Sequence, residues 1–497
     1  MPPASATTAP EVRLRTGRVA GAAEGGIERF LNIPYAAAPT GDLRWRPPRS
    51  AASWHGVRDA TRMGPACPQP VRPALVAGGL ADVQSEDCLQ LNVWRPAGAR
   101  RLPVMVWFHG GAHVIGSGTF PAFDGSALAA QGIIVVTVNF RLGALGYFAH
   151  PALSADAPCG EPLGNYGLMD QLAALRWVRR NIDAFGGDPG AVTVAGESAG
   201  AIDVLTLLSL REARGLFARA IVQSGVGLAD PFALAAEERR GSELAQRAGA
   251  GSAATAAELR ALPGDALIRA SDGKSGGLLV GPMIDGKLLR EAPWRAFARG
   301  GAIDVPLLIG ANSNEASVIL AMGVPPGSAA SYLGPSPDAV RAAYGANLND
   351  AELARQVLGD AWFVAPSRWI AGQASGGAPS WLYHFDYVPN SRRGKAPGAA
   401  HGSEIPFVFG TLDYFASLAG PVSTEDRAFG TGISACWAAF VKTGRPGCAL
   451  VADWPRYDRS TDRLALFGPR SQNVEHFRKA QLDHLLGVFF AREGGLR

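Results

Sequence analysis

Apolar positions along this chain follow two rhythms. From residue 102 onward, short β-branched runs recur: VMVWF, IIVVTVNF, VTVAG, RAIVQSG and VPLLIG, each bounded by Gly, Pro or Asn. Runs of this kind, separated by helical stretches, predict strands of a central, mostly parallel sheet covered on both faces. The helical rhythm is plainest in NYGLMDQLAALRWVRRNIDAF, where Leu168, Leu172, Leu175, Val178 and Ile182 form one apolar stripe. The GGDPG that follows is expected to stop that helix. Ahead of these elements, VRLRTGRVAG and IERFLNIPYAAAP read as short N-terminal strands joined by a turn, and LQLNVWRP alternates as a half-buried strand does. The stretches 230–300 and 316–375 predict helical excursions above the sheet. Residues 1–10, rich in Pro, Ala, Ser and Thr, are expected to form a mobile tail. No repeat or clean linker divides the remainder, so 11–497 is expected to be a single α/β domain.

Composition narrows the function. With 47% hydrophobic and 18% charged residues among 497, the chain can bury a large core. A formal charge of +4 with no dense Lys/Arg block supplies no basic stripe for nucleic acid. No apolar run is long enough to span a membrane. The opening MPPASATTAPEVRL has neither a basic n-region nor an apolar h-region, so the chain as written reads as cytoplasmic; export would require a leader that has been removed. Five cysteines, Cys67, Cys88, Cys159, Cys436 and Cys448, include no CxxC pair; they suggest no zinc site and by themselves read as ordinary thiols.

The strongest chemical signal is Gly196-Glu197-Ser198-Ala199-Gly200, a G-x-S-x-G after the apolar run VTVA and before a helix-forming AIDVLTLLSL. Small residues are needed because the Ser must sit on a tight strand-to-helix turn that lifts its oxygen above the sheet edge. Upstream, Phe108-His109-Gly110-Gly111-Ala112 follows the strand VMVWF. A Gly-rich loop there lets backbone N–H groups approach a developing oxyanion; the candidate donors are Gly111, Ala112 and Ala199.

Two longer stretches carry a family resemblance. Phe185-Gly186-Gly187-Asp188-Pro189 through Gly196-Glu197-Ser198-Ala199-Gly200 resembles the first signature of the type-B carboxylesterases, which include cholinesterases and bacterial para-nitrobenzyl esterases. Ser85-Glu86-Asp87-Cys88-Leu89 through Leu91-Asn92-Val93-Trp94 resembles the second. The resemblance runs from about residue 11 to beyond 450. It implies the α/β-hydrolase fold and ester hydrolysis without a cofactor or metal, on a small-molecule ester.

In this fold the acid and then the His follow the Ser in chain order. Of the downstream histidines, His384 lies in strand-like WLYHFDY and is expected to be packed. His476 and His484 are expected on the surface of a charged C-terminal helix. His401, in GAAHGSEIPFVFG, has small neighbours and resembles the family's histidine motif. Glu315 follows VPLLIG and matches the family's acid; its rivals are Asp285 and Asp304, the latter on the wrong side of the strand. The implied triad is Ser198, Glu315 and His401.

The resemblance further implies a Cys67–Cys88 disulfide and an Arg44–Glu86 ion pair. Glu197 is expected to tune the field beside the Ser. The chain departs from the family pattern at Gln90, at His113 where an aromatic residue is frequent, and at Asp203 where a small or neutral one is commoner. A polar His113 in the pocket wall would favour substrates with carboxylate or hydroxyl groups. Two other functions are alternatives: an amidase or carbamate hydrolase with the same triad, and a catalytically inactive cholinesterase-like binding module, a kind of protein that keeps the fold and loses the nucleophile or base. Oligomeric state leaves no mark in the pattern.

Overall fold

A computed structural model describes residues 9–71, 83–271, 280–335, 337–374 and 376–494. Its centre is an eleven-stranded sheet. In chain order the strands are β1 (Ala22–Glu24), β2 (Ile27–Pro34), β3 (Gln90–Pro96), β4 (Leu102–Phe108), β5 (Ile134–Val138), β6 (Gly187–Glu197), β7 (Arg219–Gln223), β8 (Leu307–Asn312), β9 (Ser380–Phe385), β10 (Arg463–Phe467) and β11 (Gln472–Glu475). Across the sheet they lie in the order β1-β2-β3-β5-β4-β6-β7-β8-β9-β10-β11. Every neighbouring pair from β5 to β10 is parallel; the strands beyond, on both edges, are antiparallel. A separate three-stranded sheet joins Glu11–Arg13, Arg18–Ala20 and Val57–Asp59.

Alternation along the strands builds two cores. In β4, Val104, Val106 and Phe108 face one layer, while Met105 and Trp107 face the other. The first layer is closed by α1 (Tyr166–Asn181), whose Leu168, Leu172, Leu175 and Val178 are buried as the stripe predicts, and by α2 (Ala199–Ser209). The second is closed by α3 (Thr424–Thr443) through Trp437, Phe440 and Val441. Burying a large apolar side chain contributes about 1.5–3 kcal/mol, so both layers are needed to hold so wide a sheet.

Several expectations need correcting. After α1 a 3-10 turn runs over Ile182–Phe185, Gly186 takes the left-handed conformation (φ 77°), and β6 already begins at Gly187. GGDPG is therefore both helix stop and strand start. Of the expected tail, residues 1–8 lie outside the described residues, whereas Pro10 accepts a hydrogen bond from Gly21 N. His476 precedes the C-terminal helix α4 (Lys479–Arg492), and His484 within it is half-buried, with Nε2 2.9 Å from Leu333 O. Cys436 and Cys448, expected as thiols, form a disulfide; the Cys67–Cys88 disulfide forms as the resemblance implies, and Cys159 is a free, exposed thiol. Nothing local in the sequence joins Cys436 to Cys448, since the helix carrying the first must end before the second can turn back. Among the described residues no helix is long and apolar enough to cross a membrane.

Candidate active site

β6 ends at Glu197 and α2 begins at Ala199, leaving Ser198 on the turn with φ 54° and ψ −121°. A non-Gly residue in this region stores about 1–3 kcal/mol of strain, held by the surrounding structure. Ser198 N donates to Gln223 O at the end of β7 (2.9 Å). The small flanking residues are a packing requirement: a Cβ on Gly200 would lie 2.1 Å from Phe108 O, and one on Gly110 2.4 Å from Glu197 Oε2.

Glu315 follows β8 at the head of the short helix Ala316–Ala321 and is buried. Its Oε1 accepts from Ser224 Oγ and Asn312 N, each at 2.6 Å, and its Oε2 contacts His401 Nδ1. The loop carrying His401 is tied to β8: Asn312 Nδ2 donates to Ala400 O (2.8 Å), Asn314 N to Ala399 O, and Ser317 Oγ receives His401 N. The Phe363 ring packs against the imidazole, centroids 5.1 Å apart. Ser198, Glu315 and His401 are thus brought to the carboxyl ends of β6 and β8, where such folds gather their functional groups. The rivals are engaged elsewhere: Asp285 accepts the backbone N–H groups of Leu163, Lys287, Leu288 and Leu289, and Asp304 that of Ala378. His384 is packed on Phe477, and burial lowers its pKa to about 3.

Three carboxyl groups surround the imidazole. Glu197 Oε1 lies 3.1 Å from His401 Nε2, and Glu404 sits behind, fully buried. Burial alone would push His401 down, but the carboxylates of Glu315 and Glu197, with Glu404 beyond, outweigh it and hold the ring above its ordinary value. Burial, reinforced by Glu404 and Glu315, pushes Glu197 up against the opposing pull of His401. Glu404 is likewise raised by burial, although Asn312 Nδ2 (2.6 Å) and Gln223 Nε2 (2.9 Å) donate to it. Ser224, Asn312, Gln223 and Glu404 were missed by sequence reasoning. Glu404 alone lies in the motif around His401; the others carry no local pattern and become visible only as donors to buried carboxylates.

On the other side of Ser198 the loop after β4 turns sharply. Gly111, Ala112 and His113 have φ of 112°, 56° and 59°, the two non-Gly residues costing about 1–2 kcal/mol each. Gln69 clamps this loop, donating to Gly116 O (2.9 Å) and accepting from Gly116 N (2.8 Å), which links it to the Cys67–Cys88 bridge. Among the described residues the N–H groups of Gly111, Ala112 and Ala199 have no protein acceptor. All three residues line one cavity of about 760 Å³ with Ser198 and His401. Its walls are mainly apolar, with Phe123, Leu205, Val318, Trp362, Leu486 and Phe489 among them. His113 also lines it, but Nε2 is 2.9 Å from Asp203 Oδ1 and Nδ1 is 3.1 Å from Val280 O. Both ring nitrogens are taken by protein groups, so the expected polar recognition of substrate through this ring is not available. The Arg44–Glu86 pair forms as a two-pronged contact (2.9 and 2.5 Å), and Arg44 Nη1 also donates to Arg260 O and Leu262 O.

Comparison with known proteins identifies the family. The profile of the Carboxylesterase family matches residues 8–333 and 341–485. The fumonisin B1 esterase of Sphingopyxis macrogoltabida is 40% identical over 480 residues, covering 92% of this chain and 87% of that protein. The para-nitrobenzyl esterase of Bacillus subtilis is 37% identical over 471 residues, covering 90% and 93%. Among solved structures, a PNB esterase superposes with a TM-score of 0.85 at 34% identity, over 96% of this chain and 99% of that one. A Geobacillus stearothermophilus carboxylesterase gives 0.82 at 32%, with coverages of 96% and 99%. A match spanning sheet, elbow and excursions alike leaves one assignment: this chain belongs to the carboxylesterase family, has the α/β-hydrolase fold, and is a carboxylic-ester hydrolase.

Proposed function

We propose that the chain hydrolyses carboxylic esters through an acyl-enzyme on Ser198, with His401 as base and Glu315 as its anchor. The observation that carries this reading is the contact of Glu315 with His401 Nδ1, which leaves Nε2 as the ring's working nitrogen in a residue that lines the same cavity as Ser198. Ser198 Oγ attacks the ester carbonyl while His401 Nε2 takes its proton. The carbonyl oxygen gains the negative charge and is met by the N–H groups of Gly111, Ala112 and Ala199. The tetrahedral intermediate collapses, His401 returns the proton to the leaving alkoxide, and the alcohol departs. Water then attacks the acyl-serine with His401 again as base, releasing the acid and restoring Ser198.

The cavity volume and its apolar lining suit an ester with a bulky apolar arm. Fumonisin B1, after which the 40% identical relative is named, belongs in the substrate panel beside short-chain, long-chain and para-nitrobenzyl esters. The test is Ser198→Ala, assayed with a phosphonate serine probe on the parent. Labelling of the parent at Ser198 and a loss of about 10⁶ in kcat are expected. A folded variant that keeps the parental rate overturns the proposal.

A further inference from the structure

His113 and Asp203 are two of the chain's departures from the family pattern, and the fold places them in contact. His113 Nε2 lies 2.9 Å from Asp203 Oδ1, and both side chains are buried. Asp203 Oδ2 accepts from Gln171 Nε2 on α1 at 2.6 Å, so the carboxylate is anchored before it meets the imidazole. The second ring nitrogen faces Val280 O at 3.1 Å, and the Tyr147 ring closes the pocket edge-on, centroids 5.0 Å apart.

The position of this contact matters more than its strength. His113 directly follows Ala112, and its backbone carbonyl accepts from Gly143 N (2.7 Å). Asp203 lies four residues after Ala199, one turn along the same face of α2. The bond therefore joins the loop that presents the Gly111 and Ala112 N–H groups to the helix that presents the Ala199 N–H. Within that loop Ala112 and His113 both take the left-handed conformation (φ 56° and 59°). We propose that His113 and Asp203 are positioning residues that fix the spacing of the two halves of the oxyanion site. This inference rests on the oxyanion role proposed above.

The test compares His113→Phe, His113→Gln, Asp203→Asn and the His113→Phe/Asp203→Asn double variant on a para-nitrophenyl ester, with a trifluoromethyl ketone as tetrahedral-state analogue. His113→Phe keeps the ring volume and loses both bonds. Its kcat should fall about 100-fold with KM near the parental value, and the ketone Ki should rise by a similar factor. Asp203→Asn should fall in the same direction by less. The double variant should be no worse than His113→Phe alone, because both changes break one bond. His113→Gln, which keeps a donor toward Asp203, should regain part of kcat. A merely structural role would lower the melting temperature and the fraction titrated by a phosphonate probe, and would leave kcat per titrated site and the ketone Ki unchanged. The inference is overturned if folded His113→Phe keeps kcat and Ki, if only KM moves, or if the double variant equals the product of the singles. Should His113→Phe not fold, Asp203→Asn decides: a parental kcat overturns the inference and a fall at constant KM supports it. Ser198→Ala in the same assay separates the two readings. If it remains active, the proposed function fails; if it is inactive while His113→Phe is parental, only this inference fails.

Discussion

Behind His401 the chain is held by directional bonds, whereas the helical walls of the cavity are held mainly by shape. Glu315 receives two donors from β7 and β8 flanking segments, Asn312 binds both the His401 loop and Glu404, and Gln223 bridges Glu404 to Trp437 Nε1. These walls come from helices: Val318 and Met322 from Ala316–Ala321 and its C-terminal end, Tyr332 from Ala330–Leu333, Trp362 from a π-turn over Asp360–Val364, and Leu486 and Phe489 from α4. Between cavity-lining side chains there, Trp362 Nε1 donates to Tyr332 Oη (2.8 Å); other polar contacts of these helices, such as Arg478 Nη1 to Asp360 Oδ1 and His484 Nε2 to Leu333 O (2.9 Å each), join residues that do not line the cavity. Hydrogen bonds fix angles, and dispersion fixes only volume. Substitutions in the first region should thus depress turnover for every ester, and those in the second should redistribute preference among esters.

Glu315→Gln tests the first half most severely. The carboxamide keeps the shape but can no longer hold the His401 Nδ1 proton as an anion does. A fall of about 10⁴ in kcat is expected, equal for short and bulky esters. Unequal losses would mean that the bonded region also shapes the pocket, and the contrast between the two regions would dissolve.

Trp362→Ala tests the second half. Removing an indole from the cavity wall should raise kcat/KM for a bulky ester relative to a short one by about 10-fold, in line with what small changes in an apolar pocket achieve. Turnover of the short ester should stay within a few-fold of the parent, roughly the limit for a wall that does not touch the reacting atoms. A loss of turnover on all esters would show that the π-turn, which also carries Phe363 against His401, belongs with the catalytic region instead.

The two regions were unequally legible in the sequence. The β-branched runs and the stripe of α1 reveal the sheet and its cover because period alone dictates which face is buried. Gly196 to Gly200 reveals the elbow because a strained turn needs small neighbours. Glu315 and His401 needed the family resemblance, since no local pattern distinguishes a Glu after a strand or a His in a loop. The bonds that hold them were invisible: Asn312 and Glu404 are separated by 92 residues, Gln223 and Trp437 by 214. The pocket walls were legible only as helix-forming stretches, because their docking depends on tertiary packing that leaves no periodic trace.

The smallest effect concerns the carboxyl groups around His401. A base must be unprotonated to act, and neighbouring carboxylates stabilise its protonated form. His401 is held above its ordinary value by Glu315 and then Glu197, so kcat/KM should rise with pH along an acid limb higher than that of a free imidazole. Glu197→Gln removes one of those anions, which lowers the imidazole pKa and moves the acid limb toward lower pH. Glu197 is itself pushed up by burial and so carries only part of its charge near neutrality. The shift should therefore be about one pH unit or less, below that produced by a fully ionised neighbour. A profile of kcat/KM from acid to alkaline pH on both proteins checks it. A limb that moves upward would reverse the sign of the interaction, and one that stays in place would leave Glu315 as the anion that sets the charge of His401.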